Sequence, residues 1–323
     1  MLNYLLFIVG FIFLIKGADF FVDGASALAK NLRISDLIIG LTIVAFGTSS
    51  PELVVNVYAS LQGSNQIVIG NILGSNIINI LVILGIASII FPLQVTRDTV
   101  WKEIPFCVVA TAFFGVLAND LFLSQQVVTD ISRIDGILLL FVFVIFVVYI
   151  AHTMKKQRET YTEPPSSDVK RYGVATAILL MGIGCIGLNI GAKWVVDGAV
   201  ELASFLGVSQ SLIALTLLAL GTSLTELVTS VMAAFKKNAD IAIGNIVGSN
   251  IFNILLILGI SSFVRPLQFN IGNNIDIFFA ILAPLLLFVT MFTGRKKHLL
   301  ERWEGLFFIS LYAVYLMYVI VRG

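Results

Sequence analysis

Four short stretches gather most of the polar side chains found deep inside apolar runs. Ala45-Phe46-Gly47-Thr48-Ser49-Ser50-Pro51-Glu52 and Ala219-Leu220-Gly221-Thr222-Ser223-Leu224-Thr225-Glu226 each combine hydroxyls with one carboxylate. Gly70-Asn71-Ile72-Leu73-Gly74-Ser75-Asn76-Ile77-Ile78-Asn79 and Gly244-Asn245-Ile246-Val247-Gly248-Ser249-Asn250-Ile251-Phe252-Asn253 add a hydroxyl and three amides each. On a helix, Ala45, Thr48, Ser49 and Glu52 fall at i, i+3, i+4 and i+7 and share a face, and Ser75 and Asn79 are one turn apart. Every donor is an oxygen. Hard cations such as Ca²⁺ and Na⁺ are held by carboxylate, hydroxyl, amide and carbonyl oxygens, whereas zinc or copper requires His or Cys. His152 and His298 lie at span ends, and Cys107 and Cys185 sit in apolar segments as small buried thiols, with no disulfide framework. No His-Glu-x-x-His occurs and no mid-span His could activate Ser49 or Ser75, so an enzyme is not expected, and no cofactor is implied.

A charge at the bilayer centre costs about 2.5–3.5 kcal/mol even on the lenient insertion scale, so Glu52 and Glu226 need a reason to be buried. Two facing carboxylates repel in low dielectric unless cations or protons neutralise them. An empty, doubly negative site resists crossing and a loaded one moves, which is the physical logic of obligatory exchange. Gly47 with Pro51, and Gly221 in the second copy, weaken the helical ladder beside the acids. This is expected to free carbonyls, particularly those of Ala45 and Ala219. Thr225 replaces Pro51 in the second copy, where a softer break is expected.

The surrounding elements follow from composition. Of 323 residues, 58% are hydrophobic and 12% charged, with mean hydropathy +1.00, which marks an integral membrane protein. The 20 Lys plus Arg and 19 Asp plus Glu nearly cancel, leaving no basic face for nucleic acid, and the large-scale partner is the lipid bilayer. Apolar runs predict ten helices, near 3–28, 36–60, 66–92, 103–119, 134–153, 173–200, 208–235, 240–264, 274–293 and 304–321. The stretch 154–171, with Glu163-Pro164-Pro165-Ser166-Ser167, reads as a cytoplasmic linker between halves 1–153 and 172–323. Shifted by 174 without a gap, residues 17–94 lie over 191–268 with 42 of 78 pairs identical, the spacing of Glu52 and Glu226. Five spans per half put the second copy in the opposite orientation. The predicted fold is therefore all-α, ten transmembrane helices as two inverted five-helix repeats.

Loop charge agrees with that inversion. Lys30, Arg33, Arg97, Lys102, Lys155, Lys156, Arg158, Lys170, Arg171, Lys236, Lys237, Arg295, Lys296, Lys297 and Arg302 fall in loops after odd-numbered spans, and the alternate loops hold only Arg133 and Arg265. The expected location is the cell (inner) membrane with both termini outside the cytoplasm. Trp101 and Trp303 sit near span ends as interfacial anchors.

The Gly-Thr-Ser-x-x-Glu segments at 47–52 and 221–226 and the Gly-Ser-Asn-Ile-x-Asn segments at 74–79 and 248–253 resemble the α-repeats of the calcium/cation antiporter superfamily, particularly its prokaryotic sodium/calcium exchanger branch. The resemblance covers almost the whole chain. It implies four core helices around a cation cluster, with spans 1 and 6 sliding past them. It implies Glu52 and Glu226 as shared Ca²⁺ and Na⁺ ligands, and Thr48 and Thr222 as hydroxyl and carbonyl donors. Ser49, Ser223, Ser75 and Ser249 would complete Na⁺ sites, and Ala45 and Ala219 would offer carbonyls. Asn79 and Asn253 face each other in that scheme. An archaeal member has Asp where this chain has Asn253, one acid more. The implied function is Na⁺/Ca²⁺ antiport by alternating access. An H⁺/Ca²⁺ or other divalent-cation antiporter is the alternative, and a passive cation channel is disfavoured by the internal repeat of a chain expected to act as a monomer. The proton-coupled branch typically reads Gly-Asn-x-x-Glu where this chain has Gly-Thr-Ser-x-x-Glu.

Other features have plainer readings. Gly182-Ile183-Gly184-Cys185-Ile186-Gly187 matches a dinucleotide fingerprint but lies in a hydrophobic span with no βαβ unit, so close helix packing is expected. Asp23 and Asp197 are repeat-related and expected to be structural or gating. Lys16 and Asp19, one turn apart, are expected to pair. Asp120, Asp130 and Asp135 read as solvated loop charge.

Overall fold

Hydrocarbon offers no partners for backbone N–H and C=O, so a chain this apolar must close its hydrogen bonds within helices. The computed structural model describes residues 2–119, 128–160, 172–205, 221–294 and 296–322, and helix occupies the described part of every one of the ten predicted segments. In chain order these are α1 (Leu2–Leu32), α2 (Asp36–Thr48), α3 (Ser50–Gln62), α4 (Asn65–Ile90), α5 (Thr99–Ala118), α6 (Arg133–Thr160), α7 (Val174–Phe205), α8 (Leu224–Phe235), α9 (Ala239–Val264), α10 (Ile271–Thr290) and α11 (Arg302–Arg322). Among the described residues, seven helices are long and apolar enough to cross a membrane. They become eight if α2 and α3, bent by 48° at Ser49, form one span. The first predicted span is a helix of 31 residues carrying Lys16, Asp19 and Asp23. Of the seventh, α8 is described, while 206–220, including Ala219, lies outside the described residues. The helical run α6 extends to Thr160, so the first residues of the predicted linker are helical, and its Pro-Pro lies outside the described residues.

Burial separates an inner set from an outer one. The most apolar stretches of α9 and α4 are 94% and 78% buried, against 22–39% for the other five long spans, whose exposed Phe, Ile, Leu and Val suit a lipid-facing shell. Inner helices meet at glycines: Gly40 of α2 and Gly244 of α9 approach so closely that a Cβ on either would lie 3.0 Å from the other's Cα. The longest helix contact joins α1 and α7 in antiparallel fashion. Gly10, Gly17 and Gly24 on α1, seven residues apart, meet Gly191, Gly184 and Ala177 on α7. A Cβ on Gly17 would lie 2.8 Å from Leu188 N, and one on Gly184 would lie 2.7 Å from Gly17 O. The Gly182–Gly187 stretch is thus a packing seam, with Gly182 itself facing open space.

Repeat-related contacts recur across the molecule. Gly85 of α4 packs against Gly305 of α11, and Gly259 of α9, its partner at a spacing of 174, packs against Gly136 of α6. Two short antiparallel ribbons complete the fold. In one, β1 (Leu93–Gln94) pairs with a strand at Leu299–Leu300, in register Leu93↔Leu300. In the other, β2 (Val128–Ile131) pairs with β3 (Leu267–Asn270), in register Val128↔Asn270.

Several charges are placed differently from the expectation. Asp19 pairs not with Lys16 but with Lys236, at 2.7 Å, and Asp23 binds the same ammonium, tying α1 to the end of α8. Asp135 accepts from the Ser132 N–H and hydroxyl, both at 2.7 Å, a reciprocal cap at the start of α6 rather than solvated charge. Asp130 is exposed, and Asp120 lies outside the described residues.

Candidate functional site

The helical ladder breaks where the two acids are placed. Ser49 has φ −83°, ψ 6° and Ser223 has φ −79°, ψ 5°, so the chain leaves α-geometry at both positions and restarts one residue later. Pro51, without an N–H, suits the first turn of α3. At Ser223 the same backbone turn is made without a proline, and most of the segment before it, 206–220, lies outside the described residues. Glu52 and Glu226 therefore each lie in the first turn of a helix that starts inside the protein, where unsatisfied N–H groups favour a negative charge. Opposite them, α4 and α9 widen into single π-helical turns at Asn79–Leu84 and Phe252–Ile257, nearly repeat-equivalent positions. A π-turn adds a residue to the coil and redirects the side chain at its start.

Cross-repeat hydrogen bonds join these elements. Thr48 Oγ1 donates to Asn245 Oδ1 at 2.9 Å, and its repeat counterpart Thr222 Oγ1 donates to Asn71 Oδ1 at 3.0 Å. The Asn79 amide donates to Asn250 Oδ1 and the Asn253 amide to Asn76 Oδ1, each at 3.0 Å. Asn76 and Asn250 also donate to each other's carbonyl oxygens, at 3.2 and 3.0 Å. Ser49 Oγ donates to Glu226 Oε1 at 2.9 Å. Thr225 Oγ1 lies 2.8 Å from Glu226 Oε2 and 2.9 Å from the Thr48 carbonyl oxygen. The Ala45 carbonyl accepts the Ser49 N–H at 2.9 Å and the Thr48 hydroxyl at 3.2 Å, so the break leaves it engaged.

What remains unpaired is more telling. Of thirteen buried side-chain nitrogen and oxygen atoms without a hydrogen-bond partner among the described residues, seven are oxygens of the residues singled out from the sequence: Oε1 and Oε2 of Glu52, Oγ of Ser75, Ser223 and Ser249, and Oδ1 of Asn79 and Asn253. The other six lie on Asn56, Asn65, Asn71, Glu103, Thr229 and Ser261. A buried polar atom left without a partner costs roughly 1–3 kcal/mol, so seven such atoms, all of one chemical kind, require a ligand that accepts lone pairs. A cation does so, and Ca²⁺ takes 6–8 oxygens. Glu52 and Glu226 are 2% and 1% exposed, and Thr48, Ser49, Ser75, Asn79, Thr222, Ser223, Ser249 and Asn253 are buried with them. Ser75, Ser223 and Ser249 make no hydrogen bond to the others. Among the described residues no group of three His, Cys, Asp or Glu could hold a metal, so any cation here relies on two carboxylates and neutral oxygens.

The sequence reading missed Asn71 and Asn245, which anchor the two threonines, and Asn76 and Asn250, which accept from Asn253 and Asn79. Their signal was present, since each is identical at the spacing of 174. Thr225 was noted as a departure from Pro51 without its contact to Glu226.

Similarity to known proteins runs along nearly the whole chain. The chain matches the family described as sodium/calcium exchanger protein over residues 2–151 and 176–321. It is 33% identical to the sodium/calcium exchanger MaX1 of Methanosarcina acetivorans, over 98% of this chain and 97% of that one. It is 38% identical to the inner membrane protein YrbG of Escherichia coli, over 81% and 79%. A solved structure of the sodium-calcium exchanger NCX_Mj, soaked with 10 mM Na⁺ and no Ca²⁺, superimposes with a TM-score of 0.82 at 34% identity, covering 98% of both chains. With the repeats, the paired acids and a match along nearly its whole length, the chain belongs to the sodium/calcium exchanger protein family.

Proposed function

We propose that the chain is a Na⁺/Ca²⁺ antiporter in which one central site, built from both repeats, is exposed alternately to the two sides of the membrane. The observation that carries this is that seven oxygens of the predicted ligands, two of them on Glu52, are buried without a hydrogen-bond partner beside the helix starts that carry the two acids. Glu52 and Glu226 together hold two negative charges, which a single Ca²⁺ neutralises. The hydroxyls of Ser75, Ser223 and Ser249 and the carbonyl ends of Asn79 and Asn253 suit Na⁺, which needs fewer carboxylate oxygens. Three Na⁺ would leave one net positive charge, so a three-for-one exchange is electrogenic. MaX1 and NCX_Mj are both described as sodium/calcium exchangers, and their similarity to this chain supports sodium as the coupling ion.

The architecture in this reading is ten spans in two inverted five-helix halves, 1–153 and 172–323, working as a monomer. The matched glycine contacts, the matched breaks and the cross-repeat pairs related by 174 residues support it. The glycine seam between α1 and α7 gives those helices smooth facing surfaces over which to slide. The test is transport by purified protein in Na⁺-loaded liposomes diluted into Na⁺-free, Ca²⁺-containing medium. Rapid Ca²⁺ accumulation that collapses when the Na⁺ gradient is dissipated is expected. Uptake driven by a pH gradient and indifferent to Na⁺ would replace sodium by protons, and no uptake under either gradient would sink the antiport reading.

A further inference from the structure

The two halves of the site are unequal at one position. Where the first repeat has Pro51, which offers no donor, the second has fully buried Thr225, immediately before Glu226. Its hydroxyl oxygen lies 2.8 Å from Glu226 Oε2 and 2.9 Å from the carbonyl oxygen of Thr48, which belongs to the opposite half. Ser49 holds the other carboxylate oxygen, at 2.9 Å. Glu226 therefore has both oxygens engaged, whereas neither oxygen of Glu52 has a partner. A hydroxyl carries one proton, so Thr225 serves its two acceptors in turn, and a cation that takes either of them competes with that bond for the oxygen's lone pairs.

We propose that Thr225 is a positioning residue that lowers the affinity of the site for divalent cation by occupying Glu226 Oε2 and the Thr48 carbonyl in the cation-free protein. The proposal rests on the exchange reading and adds an order to it. Ca²⁺ engages both oxygens of Glu52 first and gains the second oxygen of Glu226 in competition with Thr225. Na⁺ has half the charge and is satisfied by one carboxylate oxygen with neutral donors, so the penalty falls mainly on Ca²⁺. A penalty on the bound state is also a gain in release, which a transporter needs as much as capture.

The test is Ca²⁺ and Na⁺ titration of purified Thr225→Val by isothermal calorimetry, with Na⁺-driven Ca²⁺ uptake in liposomes alongside. Losing one hydrogen bond to a charged group predicts a Ca²⁺ dissociation constant lower by roughly ten- to hundredfold and a smaller change for Na⁺. The half-saturating Ca²⁺ concentration for uptake falls with it and the maximal rate falls too, because release slows. Thr225→Ser restores wild-type values. A purely structural role would lower the maximal rate without tightening Ca²⁺ binding, and unchanged or weaker Ca²⁺ binding overturns the proposal. If Thr225→Val does not fold, Thr225→Pro, which copies the first repeat, carries the same expectation. Wild-type protein that binds Ca²⁺ but does not exchange it overturns the exchange reading and leaves the affinity comparison decisive, whereas wild type that binds no Ca²⁺ overturns both.

Discussion

Glu52 and Glu226 occupy equivalent positions and yet do different electrostatic work. Glu226 is held by two hydroxyl donors, while Glu52 has none and faces the other acid across the site. In the cation-free protein Glu52 is thus a cost to stability, recovered only when a cation arrives. Glu52→Gln should abolish Na⁺-driven Ca²⁺ uptake while raising the unfolding temperature measured in detergent without Na⁺ or Ca²⁺, because it removes one of two buried like charges. Added Ca²⁺ should raise the unfolding temperature of the wild type, by mass action on the folded state, and leave that of the variant where it is. A variant that melts lower than wild type in the cation-free state, or that still gains stability from Ca²⁺, would show that Glu52 is a structural acid.

At the scale of elements, the breaks and the seams divide into what the chain announces locally and what only its neighbours decide. Gly47 and Pro51 announce the first break. At Ser223 the same backbone turn forms without a proline two residues on. The π-turns at Asn79–Leu84 and Phe252–Ile257 could not be read, since Asn-Ile-Leu-Val-Ile-Leu is an ordinary apolar helical run. What accompanies the widening is the pairing of Asn79 and Asn253 with the opposite repeat. Likewise Lys16 and Asp19 have the spacing of an ion pair, and the partner came instead from 217 residues away. The α1–α7 seam was legible only as a run of small residues, and its geometry now distinguishes them. Gly184→Leu would drive a side chain into Gly17 O and Phe21 N, both 2.7 Å from its Cβ, whereas Gly182 has nothing within 4 Å. Gly184→Leu should lower the unfolding temperature and abolish transport, with overpacking of about 1–3 kcal/mol or more. Gly182→Leu should match wild type in both assays. Equal behaviour of the two variants would mean that α1 and α7 do not pack along this face.

For the whole molecule, the ribbons tie the two halves together at places that fix how the chain must lie in the membrane. Leu93-Gln94 and Leu267-Gln268 are the same dipeptide 174 residues apart, yet the first pairs with Leu299–Leu300 and the second with Val128–Ile131, so each ribbon joins one half to the other. If the repeats are inverted, these ribbons lie on opposite faces. Charge predicts which is which, because the connections around the first carry Arg97, Lys102, Lys296, Lys297 and Arg302 and those around the second only Arg133 and Arg265. Single cysteines replacing exposed Lys297 and exposed Asp130 read out this arrangement, once Cys107 and Cys185 have been replaced. On intact cells, with the outer membrane permeabilised where there is one, a membrane-impermeant maleimide should label Asp130→Cys and leave Lys297→Cys unlabelled until the inner membrane is opened. The reverse pattern would invert the chain and place both termini in the cytoplasm. Labelling of both from the same side would remove the inverted repeat itself, and with it the two-sided symmetry on which a single alternately exposed site depends.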